Sequence, residues 1–188
     1  MACINTLTGG VPLVCAEQNA AIGAGKDLIL VNYDEFDLVT TIATIEADDT
    51  NGNIEGLTNI NLLTGAVQNV FEGTDYSVVP TVTPEVKEDG SVWYGHSLLF
   101  TAYSKTAATR KVIESLGGTK VIAISVDRST GLYEIFGAEQ GLYLSGAERA
   151  YVGTQKSNFY DVTIATRDLG IMKETFMPYL AVNIVTAV

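Results

Sequence analysis

The sequence is poor in the residues that bind transition metals and carry out most acid–base chemistry. Among 188 residues it has two cysteines, Cys3 and Cys15, and one histidine, His96. A four-ligand zinc site would therefore have to borrow carboxylates. The start "MACINTLTGG" has no basic segment followed by an apolar one, so we predict no export signal. We expect a cytosolic protein in which both cysteines are reduced and buried.

Long apolar runs and positive charge are also scarce. No run approaches the roughly 18 residues that span a bilayer, so we predict no membrane segment. The chain has 11 Lys and Arg against 22 Asp and Glu, which gives a net charge of −11. Residues 1–100 hold 14 of the acidic groups and only two bases, Lys26 and Lys87. Because this half repels phosphate, we predict no sequence-independent grip on nucleic acid.

Charged residues of both signs are few, at 18% of the sequence, whereas hydrophobic residues make up 47%. An average soluble domain has roughly 25% charged residues. One explanation is that other subunits cover part of the surface, and the alternative is a monomer whose polar surface is built from Ser, Thr and Asn. We favour assembly. The length fits a single domain over residues 1–188, with an N-terminal arm at about residues 1–27.

Turn signals divide the chain into strands. Asn51-Gly52 predicts a hairpin between "LVTTIATIEA" (38–47) and "IEGLTNINLL" (54–63). Asp89-Gly90 predicts a second hairpin between "YSVVPTVTPEV" and "SVWYGHSLLFTAYS". Pro80 and Pro84 lack ladder donors, which places the first of these two strands at a sheet edge or beside bulges. A third hairpin joins "KVIAISV" to "LYEIF", and "LILVNY", "NFYDVTIATRD" and "LAVNIVTAV" are further strands.

The segment "SKTAATRKVIESLGG" (104–118) has a helical pattern. Its apolar stripe consists of Ala108 and Val112, with Ile113 and Leu116 as further candidates. Ser104 or Thr106 can cap the start of this helix, and Gly117 can take a left-handed conformation at its end. We therefore predict a mainly β fold, either a β-sandwich or a β-barrel, with one flanking α-helix at about residues 105–117.

Glycine-rich and acidic segments supply the candidates for chemistry. "TGLYEIFGAEQGLYLSG" (130–146) lacks phosphate-loop spacing, and we predict strand, bend and strand, with the first strand apolar on both faces. "GAGKD" (23–27) also departs from that spacing, and we interpret it as a flexible lead into a strand. "EADDTNGNIEG" (46–56) misplaces the glycine and glutamate of a calcium loop, so a hairpin turn explains it better.

Two possible catalytic groups remain. Asp34, Glu35 and Asp37 cluster in "YDEFD", but no pocket residues accompany them as paired glycosidase carboxylates would require. His96 lies inside a long aromatic strand, where a histidine ring is ordinarily hydrogen-bonded to a neighbour. We predict no catalytic, cofactor-binding or metal-binding residues, and a protein that is not an enzyme.

The start "MACINTLTGG" and the region "GLYEIFGAEQGLYLSG" resemble small virion proteins of tailed bacteriophages, especially those that infect Bacteroidetes. In layout the chain is most similar to the tail tube (major tail) proteins. The resemblance implies a β-sandwich or barrel with one helix that forms stacked rings, usually hexameric, around a channel for DNA. It implies self-association, contacts with other virion proteins, passage of DNA without specific binding, and a location in the virion after assembly in the host cytoplasm.

Three other functions stay open. The first is another virion part, either a capsid decoration protein or a head-to-tail adaptor or ring protein. The second is a cytosolic β-sandwich that binds a sugar or another small ligand. The third is an enzyme that uses His96.

Overall fold

The computed structural model describes residues 24–43, 45–48, 53–72, 77–102, 107–127, 131–148, 160–167 and 179–187. The predicted arm up to residue 23, both cysteines, Asn51-Gly52 and the proposed cap residues Ser104 and Thr106 lie outside these ranges. The described residues form two α-helices and eleven strands: β1 Ala24–Asn32, α1 Leu38–Ala43, β2 Ile45–Asp48, β3 Asn53–Leu62, β4 Asn69–Glu72, β5 Val78–Val86, β6 Val92–Ala102, α2 Ala107–Leu116, β7 Val121–Asp127, β8 Tyr133–Phe136, β9 Tyr143–Glu148, β10 Tyr160–Ala165 and β11 Tyr179–Thr186.

The strands form two sheets that pack as a sandwich. The larger sheet has the order β2-β3-β11-β8-β7-β1-β4, and the smaller one has the order β5-β6-β10-β9. The pair β3–β11 is parallel, and the other described pairs are antiparallel. The described strands do not close into a barrel. The predicted mainly β fold is confirmed in its sandwich form, and α2, with ten residues, is the predicted flanking helix. The six-residue helix α1 was not predicted.

The main hydrophobic core lies between the two sheets and beneath α2. Its members come from both sheets and from the helix, and they include Leu28, Leu30, Leu98, Phe100, Ala123, Phe136, Leu142, Val162, Ile164, Ile113 and Leu116. A contact between two phenylalanine rings helps to join the sheets. Phe71 on β4 packs edge-on against Phe100 on β6, with ring centroids 5.1 Å apart, a geometry that adds to the stabilisation from burial alone.

A second cluster lies on the opposite face of the larger sheet. It contains Val31, Ile60, Ile122, Ile124, Ile135 and Ala181, together with Phe36 next to α1. Because β7 contributes to both clusters, the residues 121–125 are all buried. β8 behaves in the same way, with Ile135 in one cluster and Phe136 in the other. The prediction that "LYEIF" is covered on both faces is confirmed.

The hairpin predictions are confirmed where the structure describes them. β5 pairs with β6 across Asp89-Gly90, and Gly90 has a positive φ of 79°. β5 lies at an edge of the smaller sheet, as Pro80 and Pro84 required. β7 pairs with β8, and β2 pairs with β3.

The prediction of one continuous strand over residues 38–47 is wrong, because its first part is the helix α1. Asp37 overrides the strand propensity of the β-branched residues. Its Oδ1 accepts a hydrogen bond from the Thr40 backbone N–H at 3.0 Å, its Oδ2 accepts one from the Thr40 hydroxyl at 2.6 Å, and its carbonyl accepts one from the Thr41 N–H. This arrangement caps the helix. The Thr41 hydroxyl then accepts a bond from the Asn61 N–H, which fixes α1 to β3.

Helix α2 differs from its prediction in two details. Its buried face consists of Ile113 and Leu116, whereas Val112 is 43% exposed. Gly117 does not have a positive φ. The helix closes instead with three-residue turns, in which Gly117 N–H donates to the Glu114 carbonyl and Thr119 N–H donates to the Leu116 carbonyl. A left-handed cap is therefore unnecessary.

The prediction of a flexible lead at residues 23–27 is wrong, because β1 begins at Ala24, with an irregular register between Ala24 and Leu28. β4, for which no strand is predicted, pairs with β1 and forms one edge of the larger sheet. Both segments gain their strand conformation from pairing with distant parts of the chain, which local patterns do not record.

We expect Phe100→Ala to lower the free energy of unfolding by about 3–5 kcal/mol, because it removes the Phe71 contact and leaves a cavity between the sheets. Val86→Ala, at a side chain that is 74% exposed, is the control and should change stability by less than about 0.5 kcal/mol. Urea denaturation followed by tryptophan fluorescence measures both. Equal stabilities of the two variants would contradict the central position of Phe100.

Candidate functional site

The acidic cluster near residue 35 has structural partners. The Glu35 carboxylate accepts hydrogen bonds from Asn32 Nδ2 and from the Val67 backbone N–H, both at 3.0 Å. These bonds, led by the one from Asn32, lower the pKa of Glu35. The bonds from Thr40 lower the pKa of Asp37 in the same way. Glu35 thus holds the β3–β4 connection, and Asp37 holds the start of α1. The paired carboxylates of a glycosidase would instead both face one substrate.

His96 is buried and hydrogen-bonded, as the sequence predicted. Its exposed fraction is 1%, and its Nδ1 accepts a hydrogen bond from the Gly137 backbone N–H at 3.1 Å. The Phe136 ring packs edge-on at 5.8 Å between centroids. Because Nδ1 is used as an acceptor inside the core, this histidine connects the smaller sheet to the turn after β8.

That turn contains the glycines of the segment 130–146. Gly137 and Gly141 have positive φ values of 72° and 75°, which glycine adopts without strain. A Cβ on Gly141 would lie 2.5 Å from Lys120 Cε and 2.9 Å from the Tyr33 ring. Lys120 Nζ lies 3.4 Å from the centroid of that ring, a cation–π contact. The glycines therefore permit close packing in a strand–bend–strand arrangement, as predicted.

A small cavity lies where the β5–β6 hairpin meets the end of β10. Its volume is about 90 Å³, and it is lined by Glu85, Trp93, Tyr94, Gly95, Gln140, Thr166 and Arg167. Trp93 Nε1 is buried without a hydrogen-bond partner, and Lys87 Nζ lies 4.7 Å from the centroid of the Trp93 ring. Small-molecule sites usually enclose about 300–1,000 Å³, so this cavity admits only a very small group.

The carboxyls with raised pKa values do not converge on this cavity. Burial raises the pKa of Glu139, and burial followed by the nearby Asp127 charge raises the pKa of Glu134. Neither side chain lines the cavity. In the described segments, no three His, Cys, Asp or Glu side chains are placed together to hold a metal ion.

The most unusual surface is the outer face of the smaller sheet. Cross-strand pairing aligns three rows of uncharged residues. The first row contains Val79, Leu99, Thr163 and Gly146, the second contains Thr81, Ser97, Ala165 and Tyr143, and the third contains Thr83 and Gly95. We call these rows the neutral face. Val79 is 47% exposed and Leu99 is 39% exposed, so the row of the face next to Thr101 is open to solvent. The sequence alone could not reveal it, because its members come from four strands whose order is not evident from local patterns.

A second apolar surface flanks the β4 edge of the larger sheet. Val70 on β4 and Val67, two residues before this strand, are each 55% exposed. We call these two residues the edge patch. Because β4 is the last strand on its side of the sheet, its outer backbone groups have no partner strand within the described residues. An edge of this kind is suited to pairing with another chain.

Comparisons with protein-family models, with curated proteins and with solved structures found no match for this chain. Among the described residues, no helix is long and apolar enough to cross a membrane. The surfaces and the cavity therefore have to be interpreted from their own chemistry.

Glu134→Gln should stabilise the protein at neutral pH. The raised pKa means that the folded state disfavours the ionised carboxylate, so wild-type stability rises as pH falls through the folded-state pKa. Thermal unfolding of both proteins between about pH 4 and pH 8 measures this, and the advantage of the variant should vanish where the unfolded chain is also protonated, below about pH 4. Exposed Glu88→Gln is the control. A pH-independent difference would contradict the assignment.

Proposed function

We propose that this chain is a non-enzymatic structural subunit of a tailed-phage particle, which assembles into stacked rings that form the tail tube. The observation that carries the proposal is the open β4 edge with its edge patch. A monomer gains nothing from such a surface and risks aggregation, whereas a ring can bury it in every subunit.

The two sheets differ in how their edges are protected. On the β5 edge of the smaller sheet, Pro80 and Pro84 remove backbone donors, which discourages addition of a strand. β4 contains no proline, and apolar side chains flank it. A head-to-tail contact that seats the β4 edge on a different surface of the next copy closes into a ring when the rotation between copies is right.

The charge distribution suits a channel for DNA. The excess of acid over base in residues 1–100 gives that half a net charge of −12. Several of these acidic residues are exposed in the structure, including Asp34, Glu72, Glu88 and Asp89. A negatively charged lining repels the phosphate backbone and allows DNA to slide.

Negative-stain electron microscopy and light scattering of the purified chain test the proposal. We expect rings or short tubes from the wild type and their loss in Val70→Lys, because a lysine introduces charge and bulk into the edge patch. Val182→Lys is the matched control, since Val182 is 56% exposed on β11, within the sheet rather than at its edge. It should assemble like the wild type.

Two outcomes would contradict the proposal. One is a monomer under all conditions together with absence of the protein from purified virions. The other is assembly that responds equally to Val70→Lys and Val182→Lys, which would remove the edge patch as the contact.

Another virion component, such as a decoration protein or an adaptor ring, remains the first alternative, because it needs the same kind of assembly surface. Labelling the protein in intact particles separates head from tail. The cavity beside Trp93 and Arg167 is the one observation that favours a ligand-binding module, and its volume of about 90 Å³ argues against a whole sugar ring. Thermal shifts with a panel of glycans test that function directly.

A further inference from the structure

The neutral face is bordered by opposite charges at its two ends. At one end Asp161 pairs with Thr101 on β6 and with Glu148 on β9 in the strand register. At the other end Arg167 follows β10, and its guanidinium lies 4.0 Å from the centroid of the Tyr143 ring. The two charged residues are six positions apart, which is about 20 Å along a strand.

Both charged ends are available to a partner. Arg167 is exposed, and within the described residues its contact is the Tyr143 ring and no carboxylate. Asp161 accepts a hydrogen bond from the Thr101 hydroxyl at 3.0 Å, which holds its carboxylate on the outer side of the sheet. Along β10 the face therefore has an acidic end, an uncharged middle and a basic end. On β5 the end near Arg167 also carries Glu85, whose carboxylate forms an ion pair with Lys87 at 3.1 Å.

We propose that two copies of this chain pair through their neutral faces about a two-fold axis that runs across the strands. This axis sets β10 of one copy antiparallel to β10 of the other and brings Asp161 opposite Arg167 of the second copy, twice per dimer. A two-fold axis along the strands would instead place Asp161 opposite Asp161. Because Asp161 and Arg167 lie at opposite ends of the face along β10, their charges favour the axis across the strands over the axis along the strands.

The partner is a second copy because the face complements itself. A chain with a net charge of −11 repels other copies over most of its surface, and the neutral face is a place where two copies can approach without bringing acids together. Val79 and Leu99, in the row next to Asp161, would each be covered by the second copy, as in the packing of two aligned sheets.

The area of the face sets the strength of the pair. Four strands at about 4.8 Å spacing and about 20 Å of strand length give roughly 400 Å² per copy, about half of a standard interface. The dimer should therefore be weak and concentration-dependent. The pair uses the smaller sheet and the proposed ring uses the β4 edge, so the pair does not depend on the ring. In a tube whose rings all point in one direction, two copies cannot be related by a two-fold axis, so the pair would form between subunits outside the tube.

Charge reversal tests the pairing. Because the wild type is expected to form rings, every protein in this test carries Val70→Lys, which blocks the ring contact, and Val70→Lys alone is the reference. Sedimentation equilibrium of the full chain, from about 1 µM to about 1 mM, should show a monomer–dimer equilibrium in the reference. Adding Arg167→Asp or Asp161→Arg should each weaken dimerisation about tenfold or more, since each reversal turns two attractive contacts into repulsive ones. Adding both reversals together should restore dimerisation to within about threefold of the reference.

The controls are Arg110→Asp and Glu114→Arg on the exposed side of α2, which change the net charge by the same amounts. Both should dimerise like the Val70→Lys reference, and circular dichroism confirms that all variants are folded. A reference that stays monomeric to the highest concentration, or a pair of reversals that dimerises no better than either one alone, would overturn the inference. If the wild type forms rings while the reversals leave dimerisation of the reference unchanged, the pairing is overturned and the proposed function stands.

Discussion

The burial of β7 on both of its faces is the constraint on which the rest of the structure depends. Residues 121–125 separate two hydrophobic clusters, one shared with the smaller sheet and α2, the other shared with α1 and the far face of the larger sheet. Each cluster alone could hold two layers together. Because β7 belongs to both, as its neighbours β1 and β8 do, a disturbance in either cluster reaches the other through these shared strands.

This arrangement explains how the surfaces are divided. With one face of the smaller sheet committed to the core, its other face is left to solvent, and threonine, serine and small residues cover it in place of charges. The edges follow a similar division, with prolines at β5 and none at β4. The molecule thus combines a protected edge, an open edge and an uncharged face, a combination that suits a protein whose work is contact with other chains.

Local chemistry was enough to predict much of this fold. Asp89-Gly90 fixed a hairpin, the apolar pattern of "LYEIF" indicated a doubly covered strand, and the prolines of β5 indicated an edge. Residues 38–43 show the limit, since three hydrogen bonds at Asp37 outweigh a β-branched sequence. The neutral face and the edge patch could not be predicted, because they depend on strand order, which arises from contacts between residues far apart in the sequence.

The position of β11 has a consequence for synthesis of the protein. In the larger sheet this strand lies between β3, its parallel partner, and β8. On a ribosome, the β2–β3 pair therefore emerges early, but it cannot join the rest of the sheet until β11 has been synthesised some 120 residues later. Until then the nascent chain exposes two unfinished edges at the centre of the future sheet, and folding of this half must wait for the last strand.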